Sequence, residues 1–124
     1  MIPDKDNIGV THKCPDVVYK ELVSSLLDLI VLRLIDREPK HGYQIVKDIH
    51  EKFGVYFRAT LIYHILANFE HNGFVHSKWD LAARRQRKKF IITYKGKLMI
   101  ESFESELNII CRALNDFEIS TPIS

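Results

Sequence analysis

The sequence lacks the features of a membrane or secreted protein. It has no stretch of eighteen apolar residues, and its longest apolar run, residues 26–35, is interrupted by Asp28 and Arg33. A membrane span is therefore not expected, since a helix needs about 20 apolar residues to cross a bilayer. The first ten residues contain no apolar core of the kind a signal peptide needs. These absences predict a cytoplasmic protein without a membrane partner.

Cysteine is scarce as well. Cys14 and Cys111 lie near opposite ends of the chain. Because thiols inside cells are kept reduced, we expect them to be free rather than joined in a disulfide. We interpret Cys111 as a small core residue and Cys14 as part of a loose N-terminal arm.

Motifs of enzymes and metal sites are missing too. The sequence contains no phosphate-binding glycine loop, no HExxH motif and no nucleophile elbow. Two groups could supply metal ligands, His12 with Cys14 and His64 with His71 and His76, but neither has the spacing of a structural zinc site. We therefore expect neither an enzyme nor a metal or other cofactor.

The charge that is present is concentrated in one segment. The 124 residues are 46% apolar and 27% charged, as in one soluble globular domain. Residues 78–100 contain eight basic residues against Asp80 alone, whereas residues 1–77 carry a net charge of −1 and residues 101–124 a net charge of −4. A positive patch on a nearly neutral chain indicates a polyanionic partner.

Hydrophobic spacing predicts four helices and one hairpin. After an arm at residues 1–15, a first helix begins at Asp16 and ends before Pro39, apolar nearly all round and therefore buried. Helices at about 41–53 and 59–71 follow, then strands at 74–79 and 89–93, and a last helix at about 95–116. This order predicts a mostly α fold with a small β-hairpin, a winged helix-turn-helix at 16–94, a dimerisation helix at 95–117 and a tail at 118–124.

The last predicted helix carries apolar residues at alternating intervals of three and four, the a/d pattern of a helix that pairs with another helix. An ordinary amphipathic helix on its own domain is the alternative interpretation. We favour a homodimer in which this stripe and the apolar first helix both pack against a two-fold-related copy. The predicted interface consists of Leu22, Leu26, Ile100, Phe103, Leu107, Ile110, Leu114 and Phe117.

Two predicted elements carry candidate DNA contacts. At the end of the hairpin connection and the first residue of the second strand, five cations occur in six residues and suit the phosphate backbone; they are Arg84, Arg85, Arg87, Lys88 and Lys89. On the third predicted helix, a polar stripe opposite the apolar face would enter the major groove. Its predicted readers are Arg58, Thr60, Tyr63, His64 and Asn68.

Three aromatic residues allow two interpretations each. Tyr43 and Tyr63 suit either phosphate contacts or the core. Trp79, at the end of the first predicted strand, could face a ligand cavity at the dimer interface, but we expect it to pack on the core.

Residues 24–100 contain a series of short motifs: Pro39-Lys40-His41-Gly42-Tyr43-Gln44-Ile45, Phe53-Gly54, Ile62-Tyr63, Leu66, Glu70, Gly73-Phe74-Val75, Trp79, the basic run 84–90 and Ile92-Thr93-Tyr94-Lys95-Gly96. In these motifs and their intervals the segment resembles the PadR family of transcriptional regulators. The sequence departs from the family at Thr60 and His64, where glycine and proline are usual, so the DNA sequence that it reads is expected to be unusual. The resemblance implies dimeric repressors with one short C-terminal helix, some of which release DNA on binding small aromatic or drug-like molecules.

Together these features predict a sequence-specific regulator that binds double-stranded DNA as a homodimer and acts as a repressor. Whether the protein has a small-molecule effector, and which one, stays open. Two alternatives remain: a winged-helix module that binds an acidic protein, and an architectural DNA-binding protein without sequence preference.

Overall fold

The computed structural model describes residues 16–82 and 87–120. The elements follow in the order α1 (Asp16–Ser25), α2 (Leu27–Arg37), β1 (Lys40–His41), α3 (Gly42–Phe53), α4 (Ala59–His71), β2 (Val75–Asp80), β3 (Arg87–Ile92) and α5 (Tyr94–Ser120). The predicted fold class, a mostly helical winged helix-turn-helix with one hairpin, is confirmed. The predicted arm at 1–15 lies outside the described residues.

The first predicted helix is divided into two. Leu26 separates α1 from α2 with φ −102° and ψ 10°, so the prediction of a single helix is wrong at this point. The Ser25 hydroxyl donates to the Leu22 carbonyl at 2.9 Å, and the Leu26 amide donates to the same oxygen at 3.2 Å. A serine hydroxyl that competes for a carbonyl in the preceding turn bends a helix, which accounts for the break.

The two halves differ in burial. In α2 most apolar side chains are buried, as the all-round apolar pattern predicts, with Leu32 and Ile35 almost fully enclosed. In α1 only Val23 is buried, whereas Val17 and Leu22 are each 59% exposed. The helix therefore enters the core only from its second half, and α1 presents apolar side chains on the protomer surface.

A three-stranded antiparallel sheet lies beside α4. Its order is β1-β3-β2, with Val75 opposite Ile92 and Asp80 opposite Arg87 in the hairpin, and Lys40 opposite Phe90 on the other edge. The two-residue strand β1 was not predicted. The hairpin strands also extend further toward the tip than the predicted 74–79 and 89–93, which shortens the basic connection.

The last helix is longer than predicted and leaves the core part of the way along. Ile100 is buried in the core, and Phe103 and Leu107 pack against it partly buried. Two ion pairs join α5 to α2: Arg33 with Glu104, and Lys97 with Asp36 at 3.6 Å. Since α5 runs to Ser120, the predicted tail at 118–124 begins too early. Among the helices of the described ranges, none is both long and apolar enough to cross a membrane.

Candidate nucleic-acid interface

Helix α4 has one buried face and one polar face. Ile62 and Leu66 are fully buried, with Ile65 and Phe69 nearly so. The side chains of the predicted stripe are all exposed, namely Arg58, Thr60, His64, Asn68 and His71, and Tyr63 at its margin is 45% exposed. The division follows from the helical period, because residues three and four apart share a face. The polar stripe is therefore free within the protomer to meet a ligand.

Close packing against α3 fixes α4 at its N-terminal half. A Cβ atom at position 42 would lie 2.6 Å from Cζ of Tyr63, so the Tyr63 ring lies directly on Gly42 at the start of α3. Val55 and Phe57 are buried in the connection between the two helices. Gly54 ends α3 in the left-handed conformation, with φ 74°, and its amide donates to the His50 carbonyl at 2.9 Å. The helix pair is thus held at both the turn and the crossing point.

The C-terminal end of α4 is tied to the start of α5 through Thr93. Its hydroxyl lies 2.7 Å from the Gly73 carbonyl oxygen and 3.0 Å from that of Phe74, and it accepts the Gly96 amide at 3.0 Å. Lys95 adds a hydrogen bond from Nζ to the Asn72 carbonyl at 2.9 Å. Thr93 therefore acts as the N-cap of α5 and also anchors the turn after α4.

The hairpin presents its cations at the end far from the core. Arg87 and Lys88 are exposed, while Lys89 is half-buried with Nζ 3.8 Å from Asp80 Oδ2. The Lys88 ammonium lies 5.9 Å from the centre of the Trp79 ring, within the range of a cation–π interaction. Arg84 and Arg85, the other two predicted wing residues, lie outside the described residues.

A crevice joins the hairpin to α4. It has a volume of about 310 Å³ and is lined by Tyr63, Ala67, Glu70, Trp79, Arg87, Lys88 and Phe90. Trp79 is 59% exposed there, so the expectation that it packs on the core is wrong. The reason is its place at the outer end of β2, beyond the point where Val75 and Phe90 close the core. The β2–β3 hairpin, which is the wing of this fold, and α4 thus share one continuous surface.

A buried histidine connects the outer end of β2 to the start of α3. His41 Nε2 lies 3.0 Å from Asp80 Oδ2, and the Ala82 amide donates to Asp80 Oδ1 at 3.1 Å. Burial alone would raise the pKa of Asp80, but the Ala82 amide, His41 and Lys89 outweigh it and lower this pKa from its ordinary value. Since a lowered carboxyl pKa stabilises the fold above about pH 4, that stabilisation is lost as the pH falls through the folded-state value.

The predicted dimer interface is divided by burial. Ile100 belongs to the protomer core, and Leu26, Phe103 and Leu107 are partly buried. The remaining members are exposed, namely Leu22, Ile110, Leu114 and Phe117 at 54–68%. Cys111, on the same part of α5, is a free and exposed cysteine, so its interpretation as a core residue is wrong. The second half of α5 and the outer face of α1 are left as an apolar protomer surface.

Several important residues were missed from the sequence. His41 and Gly42 were recognised only as part of a motif, and Gly96 only as part of a turn. The signal for Thr93 was available, because threonine directly before a helix is a common N-cap. Tyr43, for which two interpretations were open, is 60% exposed and so is not a core aromatic. Among the described residues, no group of three His, Cys, Asp or Glu side chains is placed to hold a metal ion.

Two successive helices, α3 and α4, followed by a basic antiparallel hairpin define a winged-helix protein of the DNA-binding class. A model of the PadR-like family of transcriptional regulators matches residues 31–102. The chain therefore belongs to this family and is a transcriptional regulator.

Solved structures share this fold. A PadR family transcriptional regulator from Eggerthella lenta DSM 2243 has a TM-score of 0.74 and 26% sequence identity, and the match covers 86% of this chain and 96% of the regulator's chain. A transcriptional regulator from Clostridium thermocellum has a TM-score of 0.70 and 24% identity, covering 78% and 94%. A PadR family regulator from Clostridium difficile R20291 has a TM-score of 0.67 and 21% identity, covering 74% and 97%. No curated protein sequence matches the chain.

Proposed function

We propose that the protein is a sequence-specific repressor that binds duplex DNA as a homodimer. In this proposal α4 enters the major groove and the hairpin lies along the phosphate backbone. The observation that carries it is the shared crevice, in which Tyr63 of α4 lies beside Arg87 and Lys88 of the hairpin. A reader helix and a phosphate-binding wing on one surface can engage a groove and its backbone together. Repression would follow from occupying a promoter.

The dimer part of the proposal rests on the apolar surface of α1 and α5. Full burial of a large aliphatic side chain contributes roughly 1.5–3 kcal/mol, and Leu22, Ile110 and Leu114, 54–59% exposed in the protomer, would each gain about half of that. A two-fold pair is the commonest way for identical chains to bury such a surface. It would place two α4 helices about 34–36 Å apart, one turn of DNA, and so require a palindromic site.

Selection of duplexes from a random pool tests the function as a whole. We expect the purified chain to enrich a palindromic consensus with half-sites about 10–10.5 base pairs apart. Binding that depends on salt but enriches no consensus would contradict sequence-specific regulation and favour an architectural protein. Failure to bind duplex at all would favour a protein-interaction module.

The wing is tested by removing the two described cations at its end. Replacing Arg87 and Lys88 with alanine should weaken binding to all duplexes alike. The slope of log K against log salt should flatten by roughly 0.9 for each phosphate that the variant no longer neutralises. Lys20→Ala with Lys97→Ala removes the same charge from α1 and α5 and should leave the slope unchanged. If the slope of log K against log salt is the same for the Arg87/Lys88 variant as for the Lys20/Lys97 variant, the wing does not contact DNA phosphates.

The polar stripe is tested by its effect on sequence preference. His64→Ala and Asn68→Ala should each change the selected consensus, with affinity for the parent site weakened by about 1–3 kcal/mol. The control is His50→Ala, which removes an exposed histidine from the last turn of α3, off the polar stripe of α4. If the His64 and Asn68 variants retain the parent consensus and affinity, α4 is not the reader.

A further inference from the structure

One large aliphatic side chain of α4 lies outside the core. Leu61, the third residue of the helix, is 41% exposed, whereas Ile62, Ile65 and Leu66 are buried. Tyr63 is similarly exposed, but its ring packs on Gly42 and ends in a hydroxyl. Leu61 was not among the residues predicted to read DNA, and its apolar surface has no packing role in the protomer core.

The backbone holds Leu61 in the first turn of α4. The Arg58 carbonyl accepts the Leu61 amide at 3.0 Å and the Ile62 amide at 3.3 Å, which closes this turn. The N-terminal residues of a recognition helix are the ones that contact base edges in the major groove. Leu61 therefore lies where the base edges are nearest when α4 occupies the groove.

Leu61 begins a row of exposed side chains along one flank of α4. His64 and Asn68 follow at intervals of three and four residues, so the three side chains share that flank. The other flank carries Tyr63, which lines the crevice beside the wing. The row that begins at Leu61 is therefore separate from the phosphate contacts proposed for the wing, and it combines one apolar side chain with two polar ones.

The major groove offers one apolar feature that an aliphatic side chain can recognise. Among the four bases, only thymine presents a methyl group there, whereas the other edge groups donate or accept hydrogen bonds. A leucine side chain has neither a donor nor an acceptor. Against a polar base edge it would exclude water without replacing the lost hydrogen bond, which is unfavourable. Against a thymine methyl group both partners bury apolar surface.

We propose that Leu61 is a specificity-determining residue, which selects a thymine in each half-site by packing against its methyl group. The inference rests on the proposed function, in which α4 enters the major groove. Because a homodimer presents Leu61 twice, the selected thymines lie at two-fold-related positions of the DNA site. Part of the sequence preference then depends on a methyl group and not on a hydrogen bond.

The test replaces each thymine of the selected duplex in turn with deoxyuridine, which removes only the methyl group. At one position of each half-site the parent chain should lose roughly fourfold in affinity, the effect of one buried methyl group. Deoxyuridine in both half-sites should cost about 15-fold, since well-separated positions add. Leu61→Ala should bind the thymine duplex more weakly and should no longer distinguish thymine from deoxyuridine at this position.

Two control variants address other sources of the effect. Leu98→Ala makes the same change at a leucine of α5 that is 43% exposed, and Thr60→Ser removes a methyl group from the residue before Leu61. Both variants should retain the parent's response to deoxyuridine. Leu61→Gln provides a second variant, which replaces the apolar side chain with a polar one that favours helix. It should select a different base at this position.

The outcomes separate this inference from the proposed function. A parent chain that selects a consensus but responds to deoxyuridine at no thymine overturns the inference, while sequence-specific binding stands. A response that persists unchanged in both Leu61→Ala and Leu61→Gln overturns it as well, because another group then reads the methyl. A parent chain that selects no consensus contradicts the proposed function and this inference together.

Discussion

Replacing Ile110 and Leu114 with glutamate should convert the proposed homodimer into a folded monomer. Both side chains are more than half exposed in the protomer, at 54% and 59%, so their removal leaves the core of the chain intact. In the dimer the same positions would be buried, and an ionised carboxylate in an apolar seam costs several kcal/mol unless it is paired. Sedimentation at micromolar concentration should show the monomer mass, with an unchanged helical circular dichroism spectrum and a much weaker affinity for the DNA site that the parent chain selects.

The matched control adds the same two charges to the same helix. Ser105 and Asn108 are exposed and lie off the apolar stripe, so Ser105→Glu with Asn108→Glu should remain dimeric. A parent chain that sediments as a folded monomer at micromolar concentration would contradict the proposed mechanism. If the variant with glutamate at positions 110 and 114 remains a dimer, the dimer interface does not include this part of α5.

Gly96→Ala should be among the most destabilising single substitutions in the chain. A Cβ atom at position 96 would collide with the Phe74 carbonyl oxygen and lie 2.7 Å from Cγ1 of Ile92. The backbone at Phe74 cannot easily withdraw, because the Thr93 amide donates to that carbonyl at 3.1 Å. Overpacking of this kind costs about 1–3 kcal/mol and sometimes more. Thermal unfolding at fixed protein concentration should show a fall in Tm of roughly 10 °C.

Gly54→Ala separates the steric cost of an added methyl group from the conformational cost of replacing a glycine. Gly54 has φ 74°, but nothing lies within 4 Å of an added Cβ atom. The substitution should therefore cost only the strain of a left-handed alanine, about 1 kcal/mol. The Gly96 variant should unfold at the lower temperature. The reverse order would mean that the start of α5 shifts to admit a methyl group.

Local patterns predicted most of the fold. The spacing of Ile62, Leu66 and Phe69 locates α4, and the change to β-branched and aromatic residues after Gly73 locates the hairpin. The break at Leu26 was missed because apolar residues continue at helical spacing on both sides, without glycine or proline. The pair of serines before it was the only local signal, and its effect depends on which carbonyl the Ser25 hydroxyl reaches.

The site was less predictable where distant residues meet. The polar stripe of α4 follows from helical period alone, so its exposure could be predicted. The contact of His41 with Asp80 joins residues 39 positions apart, which no local pattern reveals. Ile100 fits the same heptad as Leu114, yet one is buried in the protomer and the other is exposed, because α5 leaves the core between them. Periodicity identifies a face but not what covers it.

The position of Trp79 has a spectroscopic consequence. It is the single tryptophan of the chain, more than half exposed and beside Lys88 near the tip of the hairpin. Indole emission excited in this protein therefore originates from one point, and that point lies on the surface proposed to bind DNA. Since indole emission responds to the polarity of its surroundings, the wing carries a native optical reporter, and the approach of a duplex can be followed without an attached dye.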